Sequence, residues 1–222
     1  MNEKEICFII CSNNRLYAEE CVYYIKHLKV PQGYQINVLV MEGAKSMAAG
    51  YNEAMHSSKA KYKVYLHQDT FIVNFNFIQD FLDIFQSDKQ IGMIGMVGTS
   101  KLSDDGIMWE SERCGAIYGW SIHSIGIFRA GEDRLTEVEA IDGLMMITQY
   151  DIPWREDLFK KWDFYDCSQS QEFIRRGYKV VVPKMEEPWC LHDNAISSLV
   201  VYDEEREKFM NEYRMNKEGS YV

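Results

Sequence analysis

The first seventy residues alternate short apolar runs with segments of helical periodicity, and this alternation limits the folds open to the chain. Apolar runs occupy residues 6–11, 36–41 and 62–67, and helical patterns lie between them at 15–29 and 47–58. Runs without polar alternation are typical of strands that are buried on both faces. The order strand, helix, strand, helix, strand therefore predicts a parallel sheet covered by helices, the α/β class.

The remaining residues extend this pattern less regularly. We expect a helix that ends at residue 85, strands at 91–97, 122–128, 144–148 and 179–182, and a helix at 166–176. A charged, amphipathic C-terminal helix is predicted from residue 202 to 215, and the segment 98–137 has no regular period. We expect a single domain over 1–222, with a nucleotide-type half followed by an irregular half that closes a site.

The charge of the chain excludes one class of partner and favours a cation. The formal net charge is −10, and no cluster of Lys and Arg is present, so nucleic-acid binding is not expected. An anionic ligand on such an acidic protein would need a bridging divalent cation. The six cysteines have no zinc-site spacing, and no apolar run is long enough for a signal peptide or a membrane span. We expect a cytoplasmic protein, either free or peripheral to the inner face of the membrane.

Polar residues follow each of the first three predicted strands. They are Ser12 and Asn13 after the first, Glu42 after the second, and the triplet His67, Gln68 and Asp69 after the third. Open α/β sheets bind ligands at the carboxyl ends of their strands, so these residues are candidates for one ligand-binding rim. Each of them taken alone could equally be a helix cap or a solvated strand end.

The spacing within the third group indicates a metal. In an extended segment, residues two apart point to the same side, so His67 and Asp69 can converge on one ion. A carboxylate suits Mn²⁺ or Mg²⁺, and the imidazole favours Mn²⁺. The alternative is that His67 packs under a loop and Asp69 caps the following turn.

Three later positions are further candidates, each with a structural alternative. Asp142 precedes Gly143 and a strand, where the glycine permits close backbone approach or a simple turn. Asp166 follows several aromatic residues, where a raised pKa would suit a general base, or it forms a capping box with Gln169. His192 could be a third metal ligand or a structural histidine.

Four stretches, in this order, resemble a known family. They are 66–69 (LHQD), 91–98 (IGMIGMVG), 138–143 (VEAIDG), and 162–166 (WDFYD) followed by 175–180 (RRGYKV). Over about residues 6–192 the chain resembles the nucleotide-sugar transferases of the GT-A fold, and more closely the glycosyltransferase family 2-like proteins of bacteria. The resemblance implies a GT-A-like sheet that is mainly parallel, a nucleotide-sugar-binding half at about 1–98, an acceptor half at about 99–200, and a C-terminal helix at about 201–217.

The resemblance also implies roles on the donor side. His67, Gln68 and Asp69 stand where the family has its Asp-x-Asp motif, so Asp69 would hold the metal on the donor diphosphate. His67 replaces the first acid of that motif, which lowers the negative charge of the site. Glu42 stands near the acid that contacts the uracil or ribose, and Ser12 and Asn13 would line the base pocket.

The other roles concern the reaction itself. Asp142 would lie by the sugar and diphosphate, Asp166 stands where such enzymes keep the catalytic base, and His192 stands where several place a late metal ligand. The residues after Asp166 depart from the family's base motif, which often continues with further acids. Positive charge near the phosphates could come from Lys45, Arg175 or Arg176, although each could be a solvated surface residue.

The resulting hypothesis is a glycosyltransferase that inverts the anomeric carbon. It would move a sugar from a nucleotide-diphosphate donor, a UDP-sugar, to a hydroxyl of a glycan, lipid-linked sugar or protein, with Mn²⁺ or Mg²⁺. Acceptor choice would depend on the segment 98–137, including Trp109, Tyr118 and Trp120. The alternative is a nucleotide-sugar or glycan-binding protein without catalysis. A nucleotidyltransferase is less favoured, because a glycine-rich phosphate loop with a trailing lysine is absent.

Overall fold

The computed structural model describes residues 1–119, 124–128, 133–193 and 200–214. In chain order its strands are β1 (Asn2–Ser12), β2 (Gln35–Glu42), β3 (Ala60–His67), β4 (Thr70–Ile72), β5 (Ile91–Gly95), β6 (Val97–Thr99), β7 (Arg113–Gly119), β8 (Ser124–Phe128), β9 (Leu135–Glu137), β10 (Ala140–Ile141), β11 (Met145–Thr148), β12 (Lys179–Pro183) and β13 (Cys190–His192). Its helices are α1 (Arg15–Lys26), α2 (Met47–Ser57), α3 (Phe77–Ser87), α4 (Tyr165–Arg175) and α5 (Tyr202–Tyr213), with a short 3-10 helix at Met108–Glu110.

The larger sheet confirms the predicted α/β class. Its seven strands are ordered β2-β1-β3-β11-β5-β12-β9, and the pairings make five of them run in one direction, with β11 and β9 opposed. Helices cover both faces of β1: the ring of Phe8 contacts that of Phe77 in α3, whereas Cys11 packs against Gly50 in α2. Because side chains alternate along a strand, positions 8 and 11 lie on opposite faces. The sheet is therefore mainly parallel and enclosed by helices, as predicted.

The register of the parallel strands places the carboxyl ends of β1, β2 and β3 side by side. Ser12 is paired with Glu42 across β1 and β2, and Cys11 is paired with His67 across β1 and β3. Parallel neighbours that end together bring their following residues to one edge of the sheet. The predicted common rim is therefore present at the carboxyl ends of β1, β2 and β3.

Strand β11 lies antiparallel between β3 and β5. The turn that precedes it is consequently held beside the end of β3, where the backbone N–H of His67 donates to the carbonyl of Leu144 at 3.0 Å. This insertion brings Asp142 from the second half of the chain to the rim formed by the first half.

A second sheet replaces much of the predicted irregular region. Its order is β10-β6-β7-β13-β4, with β8 on the side of β7. The single strand predicted at 91–97 is wrong, since the chain leaves the first sheet after Gly95 and enters the second as β6. A Cβ atom at Gly95 would lie 2.6 Å from the side chain of Ile141, so the glycine permits the close approach of the two sheets where the chain changes between them.

Several helix ends differ from the sequence expectation by one to three residues, and one predicted cap is absent. Helix α1 ends at Lys26 rather than at residue 29, because His27 has left helical geometry (φ −97°, ψ 1°). The capping box of Asp166 with Gln169 is wrong: Phe164 precedes α4 with φ 58°, and the Gln169 amide donates instead to the Ile152 carbonyl. Ser46 caps α2 as predicted.

The C-terminal helix is confirmed as α5. It begins at Tyr202, as predicted, and ends at Tyr213, one residue before the end of the described segment. Three predicted features lie outside the described residues. They are the end of this helix at 215–217, the residue Trp120, and the start of the strand predicted at 122–128. None of the helices described is long and apolar enough to span a bilayer.

Candidate active site

Three candidate metal ligands meet at the edge between the two sheets. One ligand atom from each of His67, Asp69 and His192 lies within 4.8 Å of the others. Nδ1 of His67 is 3.4 Å from Nε2 of His192, which is 3.4 Å from Oδ1 of Asp69. The structure thus brings together the three residues that the sequence analysis predicted as candidate metal ligands.

The local fold explains why residues so distant in sequence converge. His67 ends β3, and Asp69 lies in the short turn before β4. Strand β13 pairs antiparallel with β4, which puts His192 opposite Thr70. The backbone N–H of Asp193 donates to the carbonyl of Asp69 at 2.8 Å and closes the group.

The electrostatics of these side chains suit a cation. Burial, and then the neighbouring His192, lower the pKa of His67 to about 4, so its ring is neutral and has a free lone pair at neutral pH. Burial alone would raise the pKa of Asp69, but the hydrogen bond from His192 and the charges of both histidines hold that pKa below its usual value. Two imidazoles and one carboxylate are ligands that Mn²⁺ accepts, so the residues present fit the ion that the sequence led us to expect.

Tyr165 belongs to the candidate site, although the sequence analysis did not single it out. Its hydroxyl lies 2.5 Å from Nε2 of His67, on the side of the ring away from His192. A metal-binding histidine commonly donates its second ring N–H to such a partner, which fixes the tautomer and the orientation of the ring. The Tyr165 hydroxyl packs so closely on Gly143 that a Cβ atom there would overlap it, which accounts for the glycine in the Asp142–Gly143 pair.

Two carboxylates lie next to this group. Asp166 Oδ2 accepts the backbone N–H of Gly143 at 2.8 Å, and Asp142 Oδ1 accepts that of Leu144 at 2.8 Å. Loss of hydration, and then the negative charge of Asp142, raise the pKa of Asp166 to about 7. A carboxyl group with that pKa can take up a proton at neutral pH, as a general base must.

A cleft of about 700 Å³ connects the candidate metal ligands with the two carboxylates. His67, His192, Asp142 and Asp166 all line it, and Trp109 and Trp162 stand on its walls, each 48% exposed. Its volume lies within the range of small-molecule sites. Exposed indole rings beside carboxylates are well suited to hold sugar rings.

The nucleotide-side candidates lie outside this cleft. The Gln68 side-chain oxygen accepts hydrogen bonds from Ser12 Oγ at 2.9 Å and from the backbone N–H groups of Asn13 at 3.1 Å and Asn14 at 2.9 Å. Its amide nitrogen donates to Asn13 Oδ1 at 2.7 Å. Gln68 therefore ties the end of β3 to the loop after β1, a contact that the sequence reading did not anticipate.

Glu42 is exposed and lines a second cavity, of about 430 Å³, together with Lys45. Arg175 and Arg176, suggested as sources of positive charge near the phosphates, are instead engaged elsewhere: both pair with Glu172, and Arg175 also binds Glu212 in α5. The expectation that they act at the site is therefore wrong, because α5 covers the end of α4 from which they extend.

Comparison with known proteins agrees with this architecture. Among solved structures, the mannosyltransferase PcManGT from Pyrobaculum calidifontis, in complex with GDP-Man and Mn²⁺, matches 92% of this chain with a TM-score of 0.58 at 9% identity. S. aureus TarS matches 90% of the chain with a TM-score of 0.55 at 12% identity, and TarS 1–349 in complex with UDP matches 94% with a TM-score of 0.51 at 12% identity. The chain spans 61% of the PcManGT chain, 38% of the TarS chain and 66% of the TarS 1–349 chain.

The structural matches show a shared fold. No curated protein matches the chain in sequence. The model of a family described as "Glycosyltransferase like family" matches residues 7–213, which is nearly the whole length. The chain therefore belongs to this glycosyltransferase-like family.

Proposed function

We propose that this protein transfers a sugar from a nucleotide-diphosphate donor to an acceptor hydroxyl, with a divalent metal and with inversion at the anomeric carbon. The observation that supports this most directly is one cleft lined by both kinds of group. It contains two candidate metal ligands, His67 and His192, and the carboxylate of Asp166, whose pKa is near neutrality. Inverting transfer needs the metal at the leaving group and the base at the acceptor hydroxyl, on opposite sides of the same donor sugar.

The metal would be held by His67, Asp69 and His192. When bound, Mn²⁺ or Mg²⁺ neutralises the charge that develops on the departing nucleoside diphosphate. Tyr165 keeps His67 oriented toward this position through its hydrogen bond to Nε2. The protein itself offers little other positive charge here, since Arg113 is the one Lys or Arg among the described residues that line the cleft.

Asp166 would act as the general base. Its carboxylate takes the proton from the acceptor hydroxyl as that oxygen attacks the sugar from the side opposite the leaving group. The backbone N–H groups of Gly143 and Cys167 hold its two carboxylate oxygens in place, and burial, followed by the charge of Asp142, raises the affinity of the carboxylate for a proton. Asp142 would also accept hydrogen bonds from hydroxyls of the donor sugar.

The donor is proposed to be a UDP-sugar whose base lies at the ends of β1 and β2. Ser12, Asn13 and Glu42 are adjacent there through the register of the two strands. UDP is present in one structural neighbour and GDP-Man in another, so both nucleotides belong in a first screen.

The test is donor binding and turnover with and without metal. UDP-glucose, UDP-galactose, UDP-N-acetylglucosamine and GDP-mannose are titrated by calorimetry with Mn²⁺, with Mg²⁺ and with EDTA, and release of the nucleoside diphosphate is measured. We expect metal-dependent binding of at least one donor, followed by its transfer or slow hydrolysis. Binding that is followed by no turnover with any acceptor would instead support a non-catalytic nucleotide-sugar-binding protein.

A pair of variants tests the base. Asp166→Asn should bind the donor as the wild type does but lose transfer by a factor on the order of 100 to 10,000. Asp163→Asn is the matched control, because Asp163 also lines the cleft and burial raises its pKa too. Normal turnover by Asp166→Asn, or equal loss in both variants, would contradict the assignment of Asp166.

A further inference from the structure

Arg113 occupies an unusual position in the cleft. Its guanidinium lies 4.5 Å from the ring centre of Phe128 and 5.0 Å from that of Trp109, so two aromatic rings hold it in place. No carboxylate forms an ion pair with it among the residues that the structure describes. Arg113 is thus a positioned cation with hydrogen-bond donors available to the cleft.

The charges around it make an anionic ligand the natural partner. The other charged residues of the cleft wall are acidic: Glu110, Asp142, Asp163 and Asp166. In a protein of net charge −10, these carboxylates would repel an anion, whereas the neighbourhood of Arg113 would attract one. A guanidinium matches the planar geometry of carboxylate and phosphate oxygens.

The position along β7 separates Arg113 from the metal group. His192 pairs with Gly119, six positions beyond Arg113 on the same strand. Six residues of extended chain cover roughly 20 Å, and an arginine side chain spans less than half of that distance. Arg113 therefore cannot contact the metal ligands themselves, although it lines the same cleft.

Arg113 is closer to Asp142 than to the metal ligands, and Asp142 adjoins Gly143, whose backbone N–H binds the proposed base Asp166. Across the second sheet, Arg113 pairs with Thr99, which pairs with Ala140, two residues before Asp142. Two strand spacings and two residues correspond to about 12 Å between Asp142 and Arg113, the length of one or two sugar rings. Arg113 and Ile117 lie on the same face of β7, since they are four positions apart and both line the cleft.

We propose that Arg113 binds an anionic group, a carboxylate or a phosphate, on the acceptor, about one or two sugar units from the hydroxyl that is glycosylated. This inference rests on the proposed glycosyltransferase function and specifies its acceptor class. Trp109 contributes twice, because its ring holds the guanidinium and, being half exposed on the cleft wall, can also contact an acceptor sugar. The acceptor is thus an acidic glycan or a phosphate-linked sugar rather than a neutral one.

The experiment compares charged and neutral probes. Methyl glycosides of glucose, galactose and N-acetylglucosamine, their uronic acids and their 6-phosphates are titrated by ligand-observed NMR, with and without UDP and Mn²⁺. We expect the charged members to bind at least about tenfold more tightly than their neutral partners, as one charge-assisted contact would produce. The uronic acids and the 6-phosphates are separate arms, so the preferred anion is identified directly.

Three variants test whether Arg113 causes the preference for charged probes. Arg113→Gln should abolish the preference for charged probes, Arg113→Lys should keep part of it, and Lys101→Gln, which changes an exposed lysine just beyond β6, should keep all of it. UDP binding with Mn²⁺ should be unchanged in all three.

Equal binding of charged and neutral probes to the wild type, or no binding of either, would overturn the proposal. So would weaker UDP binding by Arg113→Gln, because that would place the anion on the donor. A lower melting temperature of Arg113→Gln with an unchanged preference would show a purely structural role. If UDP fails to bind the wild type while the charged preference is present, the proposed function fails and the anion site stands.

Discussion

The hydroxyl of Tyr165 lies 2.5 Å from Nε2 of His67, while Nδ1 of the same ring faces His192. Tyr165 is the first residue of α4, and Asp166 is the second. The start of one helix therefore positions a candidate metal ligand through one side chain and carries the carboxylate proposed as the base on the next. The separation between His67 and Asp166 is consequently set by two adjacent residues of α4.

The hydrogen bond to His67 should matter for metal affinity. Tyr165→Phe removes the hydroxyl but keeps the ring, so we expect Mn²⁺ to bind about 10 to 100 times more weakly, as is typical when the partner of a ligating histidine is lost. Free Mn²⁺ measured by electron paramagnetic resonance reports this without any need for turnover.

Tyr51→Phe is the control for that variant. Tyr51 belongs to the same buried aromatic cluster as Tyr165, and its hydroxyl makes only a long contact, 3.4 Å, with the carbonyl of Leu66. Its Mn²⁺ affinity should equal that of the wild type. Equal weakening in both variants would mean that packing, and not the hydrogen bond, supports the metal site.

The raised pKa of Asp166 predicts how stability depends on pH in the metal-free protein. The folded state holds the proton up to about pH 7, whereas the unfolded chain loses it near 3.8, so ionisation destabilises the fold as pH rises between those values. Asp166→Asn removes this penalty. The free energy of unfolding of the variant minus that of the wild type should be near zero at pH 4 and rise to about 2 to 4 kcal/mol by pH 8. Urea denaturation at several pH values measures the difference, and a flat difference would show that the Asp166 pKa is ordinary.

The neighbouring charge of Asp142 predicts a shift in the rate profile. Asp142→Asn keeps an oxygen that can accept the Leu144 N–H but removes the negative charge that raises the pKa of Asp166. The acidic limb of kcat/KM, measured at fixed Mn²⁺, should move to lower pH while the activity at the plateau decreases. A limb that stays in place would show that burial alone sets the pKa of the base.

Loss of a ligand should separate metal binding from folding. His192→Ala removes one of the three ligands, and we expect Mn²⁺ affinity and metal-dependent donor binding to fall by at least about 100-fold. The melting temperature without metal should change far less than these affinities, because the contacts of the His192 ring with His67 and Asp69 are long, 3.4 Å each. His27→Ala changes a histidine outside this ligand group and should leave Mn²⁺ binding intact. Donor binding that is independent of metal in the wild type would contradict the role given to all three ligands.

Local sequence signals determined the elements and many candidate residues. Apolar runs and helical periods placed β1 to β3 and α1 to α3 within a few residues, because buried strands and amphipathic helices have distinct periods. The rule that ligands lie at strand ends led to His67, Asp69 and Glu42. The spacing of His67 and Asp69 indicated a metal, and the family resemblance added Asp142, Asp166 and His192.

Tertiary structure decided which of these residues meet. The pairing of β13 with β4 brings His192 to Asp69 across more than 120 residues of chain, and no local pattern encodes that pairing. The insertion of β11 beside β3 likewise brings Asp142 and Gly143 to His67. The same geometry places Glu42 in a separate cavity, pairs Arg175 with Glu212 of α5 and pairs Arg176 with Glu172 of α4.

Tyr165 and Arg113 show the limit of the sequence most clearly. Each is one aromatic or cationic residue among many, and no local pattern distinguishes it from its neighbours, even though Tyr165 lies within the stretch 162–166 that resembles the family. Tyr165 acquires its role because Gly143 leaves room for its hydroxyl against His67, and Arg113 because Trp109 and Phe128 close around it. The sequence by itself determined β1 to β3, the helices and the chemistry available at the ends of those strands. The distances that turn this chemistry into a site depend on contacts between distant segments, which only the folded chain defines.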